Sequence, residues 1–117
     1  MTIYYRNGTV LTDQYASIEA AVRAGVNLAG ANLAYANLRG ANLSYANLTD
    51  ATLADANLTG ANLSDANLTY ADMSGANLTG AYLTGANLTG AYLAGAELSN
   101  ATLTGAVLYV GNRRVTL

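Results

Sequence analysis

The stretch Gly75–Leu93 reads GANLTGAYLTGANLTGAYL. Five residues recur without insertion, and tyrosine stands in place of asparagine at Tyr82 and again at Tyr92. Followed in both directions, the period runs from Val26 to Val110 as 17 pentapeptides. Ala fills the first position of 16 of them, and the third is Leu everywhere except Met73. A repeat this regular decides the fold before local propensity does. In an α-helix, residues five apart are turned by about 140° at roughly 100° per residue, so the leucines would spread around every side. In a straight strand, the odd spacing would send successive leucines to opposite faces. Only a chain that turns by a fixed angle in each pentapeptide brings every Ala and Leu to one inside. The expectation is a solenoid wound around an Ala/Leu core, with positions two, four and five facing out. Gly, the commonest residue at position five, suits the corner.

The exceptions set the number of sides. At the second position, alternate pentapeptides carry Asn27, Asn37, Asn47, Asn57, Asn67, Asn77 and Asn87. Those between them read Asn32, Asn42, Thr52, Asn62, Asp72, Tyr82 and Tyr92. A ten-residue alternation stays in vertical register on a four-sided coil and not on a three-sided one. Twenty residues per coil give 4.25 coils over the 17 repeats. Asn27, Asn47, Asn67 and Asn87 then stack on one side and Asn37, Asn57 and Asn77 on the opposite one, about 4.8 Å apart. That spacing predicts amide ladders running along the coil axis. Tyr82 and Tyr92, half a coil apart, fall on opposite sides.

The A-N-L-[ST]-G run, as in Ala76-Asn77-Leu78-Thr79-Gly80, resembles the pentapeptide repeat family over 85 of the 117 residues. The resemblance implies an all-β fold, a right-handed quadrilateral β-helix of about four coils. The chain divides accordingly: residues 1–25 form an N-terminal cap, 26–110 the β-helix and 111–117 a C-terminal tail strand.

A solenoid leaves its core open at both ends. At the N-terminus, Ile3 to Leu11 reads as strand, Asn7-Gly8 turn, strand. A short helix then begins at Asp13 or Ser17, carries an apolar stripe of Ile18, Ala21 and Val22, and stops at Gly25, lying over the first coil as a lid. At the C-terminus, Val107, Tyr109 and Val110 replace outward polar residues, and the tail adds Val115 and Leu117. These five are covered either by the chain's own tail or by a second copy. They form the candidate dimer interface.

Composition removes most chemistry. The chain has no Pro, Cys, His, Trp, Phe or Lys and a net charge of −2. No disulfide or thiolate site exists, and no basic patch for nucleic acid. No apolar run approaches membrane-spanning length, and the N-terminal segment, with Arg6, Asn7 and Gly8, does not read as a secretory signal; a cytoplasmic location is expected. Without His, Lys or Cys there is no base or nucleophile suited to neutral pH. No catalytic residue, cofactor or metal site is assigned. Asp50, Asp55 and Asp65 fall at three different corners of one coil and cannot converge on a substrate.

The leading functional reading is a non-enzymatic structural or protein-binding scaffold of unknown partner, alone or as a homodimer through its C-terminal end. Asp50, Asp55, Asp65, Asp72, Tyr82 and Tyr92 are the candidate partner surface. The family resemblance implies one alternative, since some members mimic duplex DNA and bind type II topoisomerases such as gyrase. Against it stands charge. A rod of about 20 Å of DNA would carry about 12 phosphates, whereas the repeats carry five acids against Arg39, a net −4. A second alternative is ice binding, because rows such as Asn47-Leu48-Thr49 and Asn67-Leu68-Thr69 resemble the flat Thr-bearing faces of ice-binding β-helices.

Overall fold

The computed structural model describes residues 4–5, 18–110 and 112–117. The expected Asn7-Gly8 turn and a helix start at Asp13 or Ser17 lie outside the described residues. Within them, the repeats fold as a β-helix solenoid. Its rungs are isolated parallel bridges, each joining a second-position residue to the one twenty further on, as in Asn37↔Asn57, Asn42↔Asn62, Asn47↔Asn67 and Thr52↔Asp72. One turn of the solenoid therefore takes four pentapeptides. The bridges Asn62↔Tyr82 and Asp72↔Tyr92 put the two tyrosines on opposite sides.

Each position of the repeat has a physical task. The backbone of positions two and three links coils: Leu48 N–H donates to Asn67 C=O at 2.8 Å, and Asn67 N–H to Ala46 C=O at 2.9 Å. The third-position carbonyl then accepts from the next first-position amide, as Leu48 does from Ala51 at 3.0 Å. That bond closes a turn whose one positive φ falls at position five, the signature of type II. Every fifth-position residue from Gly30 to Gly105 has φ between 56° and 73°. Ala at position one and Leu at position three point inward. From Leu28 to Leu88 the leucines and Met73 are 0–4% exposed, forming one continuous core.

The amide ladders expected along the coil axis give way, from Asn47 to Asn87 in the described residues, to bonds within each asparagine's own turn. Asn47 Oδ1 accepts from the Thr49 amide at 3.1 Å and the Thr49 hydroxyl at 2.8 Å. Asn57, Asn67, Asn77 and Asn87 do the same with Thr59, Thr69, Thr79 and Thr89. The reason is proximity along the chain. An Asx bond two residues on is available in every pentapeptide as soon as its turn forms, and it occupies the oxygen that a ladder would need.

The N-terminal end is capped. β1 (Tyr4–Tyr5) pairs antiparallel with β2 (Ala31–Asn32). α1 (Ile18–Arg23) buries Ile18 and Ala21, with Val22 and Val26 packed against the core. Gly25, at φ 77°, ends it in a Schellman motif: Val26 N–H reaches Ala21 C=O and Gly25 N–H reaches Val22 C=O, both at 3.0 Å. The C-terminal end closes on one side only. β3 (Val107–Val110) bridges back to Asn87, and β4 (Arg113–Thr116) pairs antiparallel with the other edge of β3.

Candidate functional site

The fifth-position residues form four corner columns, and the carboxylates expected to stay apart do so. Asp50 lies in the column Gly30, Asp50, Tyr70, Gly90, Asp55 in Tyr35, Asp55, Gly75, Gly95, and Asp65 in Tyr45, Asp65, Gly85, Gly105, the register that the bridges impose. All three are exposed. The Asp55 carboxylate leans over Gly75, and that of Asp65 over Gly85, one coil on. Asp72 differs because it sits on a side. It takes the place of Asn and accepts from the Ser74 amide at 3.0 Å. Hydrogen bonds from the Ser74 hydroxyl and then its amide hold the Asp72 carboxyl below its ordinary pKa. Ser99 does the same to Glu97 through its hydroxyl and amide. These acids act as turn acceptors, an ionised version of asparagine. Among the described residues, no group of His, Cys, Asp or Glu is placed to hold a metal ion.

Among the aromatics, the structure assembles a pair that the sequence reading did not connect. Tyr82 and Tyr92, 53% and 63% exposed, stand on separate sides. Tyr70 and Tyr109, by contrast, flank one depression of about 470 Å³ that also includes Thr69, Asn87, Thr89 and Gly90. The Tyr70 ring lies over Gly90, where a Cβ would collide with it. Tyr109 occupies the fourth-position column of Thr49, Thr69 and Thr89. The depression is open to solvent along its length. A twenty-residue ruler laid on the sequence would have found the pair, because the Tyr70 column and the Tyr109 column are neighbours at one corner.

The proposed interface residues divide. Leu108 and Val115 are cross-strand partners, both half-buried, and Leu108 packs against the core. Val107 is half-buried opposite Thr116, while Tyr109 and Leu117 are 47% and 50% exposed. Val110 pairs with Arg113 through the backbone. The tail thus covers the free edge of β3 and leaves Tyr109 and Leu117 in solvent. Among the described residues, no helix is long and apolar enough to cross a membrane.

Parallel rungs at a constant spacing, an Ala/Leu interior and turn-bound polar side chains define a β-helical repeat protein. The sequence model of pentapeptide repeats matches residues 24–60, 46–85 and 81–109 in 8 copies, and the chain belongs to that family. Among solved structures, HetL from the cyanobacterium Nostoc sp. strain PCC 7120 is a pentapeptide repeat protein involved in heterocyst differentiation regulation. It is 49% identical over 71% of this chain, with a TM-score of 0.69. The match spans 38% of HetL's own length. The pentapeptide repeat protein alr5209 from Nostoc PCC 7120 is 40% identical, covering 74% of this chain and 72% of its own, also with a TM-score of 0.69. A search of the curated proteins finds no significant match.

Proposed function

We propose that the protein is a non-enzymatic scaffold, a right-handed quadrilateral β-helix of about four coils, that docks a protein partner at the Tyr70–Tyr109 corner. The observation that carries this reading is the pairing of two exposed tyrosines over a bare glycine floor on an otherwise small-polar surface. Aromatic residues supply rigid contact area and are enriched at interfaces. Sites for small molecules bury most of their ligand in an enclosed pocket of roughly 300–1,000 Å³. The depression here has such a volume but is open to solvent, which suits a protruding side chain or loop of a partner. Catalysis would need an acid, base or nucleophile in mutual reach. Asn47, Asn57, Asn67, Asn77, Asn87 and Glu97 instead accept from the hydroxyl of their own turn's Thr or Ser.

The test compares the native chain with a Tyr70→Gly, Tyr109→Thr double variant, each immobilised and exposed to extract of the host cell. Both substitutions install the residue that neighbouring coils carry in the same column, so the fold is preserved, as circular dichroism would verify. A partner retained by the native chain and lost from the variant supports the reading. Equal retention by both, or none by either, overturns it.

A further inference from the structure

The side of the solenoid that ends in β3 and β4 carries charge only at its end. Its second-position column, from Asn27 to Val107, and its fourth-position column, from Ala29 to Tyr109, hold no acid. There β4 adds one more layer, about 4.8 Å high, and brings Arg113 and Arg114, the only basic residues after Arg39. Both are exposed. Arg114 is the cross-strand partner of Tyr109, and side chains directly opposed on one face of an antiparallel pair have Cβ atoms about 5 Å apart. Tyr109 lines the depression that it shares with Tyr70. Arg114 lines a second one, of about 480 Å³, with Arg113, Val115 and Thr116. An aromatic depression and a basic one thus meet at the Tyr109–Arg114 pair.

Charge is graded along this corner. Its column runs through Asp50, Tyr70 and Gly90 to Val110, and Val110 is the partner of Arg113. A carboxylate therefore stands one layer below Tyr70, and two guanidiniums stand one layer above Tyr109. From the layer of Tyr70 to that of Arg114 is about 14 Å, the length of about four residues of extended chain.

We propose that the tyrosine corner takes an extended peptide with an acidic end. An apolar or aromatic anchor residue lies against Tyr70 and Tyr109, and a carboxylate within about three residues of it is held by Arg113 and Arg114. The inference rests on the docking reading above and names the chemistry of its partner. Charge complementarity decides the occupant. A single-stranded nucleic acid also stacks on aromatic rings, but its phosphates recur at every nucleotide and its grooves are basic along their length. Here such a strand would run from two arginines towards Asp50. A basic peptide would meet the arginines with like charge. A peptide acidic at one end matches the gradient. The Thr69 and Thr89 hydroxyls donate to Asn67 and Asn87, and Asn87 is exposed, so its amide Nδ2 can donate to a peptide carbonyl.

A random peptide library displayed on phage and panned on the full chain tests the chemistry. The enriched sequences should place Asp or Glu within about three residues of a Trp, Phe, Tyr or Leu. Synthesised and titrated by fluorescence anisotropy, these peptides should bind about tenfold more weakly to an Arg113→Glu, Arg114→Glu variant. An Arg113→Lys, Arg114→Lys variant should lose less, since the charge remains. Circular dichroism verifies that both variants fold. Binding should also be lost from the Tyr70→Gly, Tyr109→Thr variant. Peptides that need the tyrosines but carry no acid, or that ignore the arginine variants, overturn this inference and leave the corner standing as a docking site. Peptides indifferent to the tyrosines, or no enrichment at all, overturn both. Tighter binding of an oligothymidylate than of any selected peptide overturns the peptide assignment in favour of nucleic acid.

Discussion

At the fifth position of the repeat the backbone lies in the left-handed region, and the residues found there differ in how they tolerate it. Gly adopts it freely and Asp and Asn do so at modest cost, but Tyr35, Tyr45 and Tyr70 hold it at φ 62°, 62° and 58° with a full side chain. The left-handed conformation costs an ordinary residue about 1–2 kcal/mol. Gly80, with open space where a Cβ would stand, isolates that term: Gly80→Ala should destabilise by about 1–2 kcal/mol in urea unfolding. Gly90→Ala should lose more, because the new methyl meets the Tyr70 ring. The excess should vanish in a Tyr70→Gly background. An equal loss at both sites would show that the ring swings away without cost. Asp72 makes a second residue-scale prediction. Its carboxyl is held below the ordinary value of 3.8 by Ser74, so the native state favours the ionised form. The stabilisation is present above the ordinary value and is lost as pH falls through the lower, folded one. Asp72→Asn keeps the acceptor oxygen and removes the titration. Thermal unfolding in acid should fall less steeply with pH for the variant than for the native chain, and the two slopes should coincide near neutrality.

At the scale of elements, the cap and the open end predict a gradient along the core. Ile18, 4% exposed, closes the first coil from α1, Leu63, 0% exposed, sits mid-solenoid, and Leu103 is half-buried in the last coil. Truncation of a buried Leu or Ile to Ala costs about 2–5 kcal/mol, and less where the site is already wet. Leu63→Ala should therefore be the most damaging, Ile18→Ala next and Leu103→Ala the least. Hydrogen exchange would separate the first two, since Ile18→Ala should expose the amides of the first coil before the rest, whereas Leu63→Ala weakens coils on both sides. The elements also show what was legible in the sequence. The period, the Ala and Leu interior, the stop at Gly25 and the twenty-residue register follow from spacing, because spacing alone fixes which residues turn inward. The asparagine side chains did not follow from it, since a ladder between coils and an Asx bond within a turn use the same oxygen and the same spacing. The Tyr70–Tyr109 corner was missed for a related reason. Residues 39 apart in the chain become neighbours only after the coil is wound and β3 has left the repeat pattern.

For the whole molecule, the distribution of charge decides between a scaffold and a mimic of duplex DNA. DNA presents its charge as two continuous phosphate tracks, one charge per about 1.7 Å of axis, and proteins that bind it are steered by that field. The repeats carry Asp50, Asp55, Asp65, Asp72 and Glu97 against Arg39, and the structure separates the first three onto different corners. Asp72 and Glu97 stand on adjacent sides, in the columns ending in Tyr92 and in Glu97 itself. No column stacks two acids in successive coils, so no line of negative charge runs along the axis. The expected outcome is that micromolar protein leaves DNA supercoiling by a bacterial gyrase unaltered at low ionic strength, where a charge-driven contact would be strongest. Inhibition that weakens as salt is added would instead show that five scattered acids suffice, and would replace the scaffold reading with the mimic.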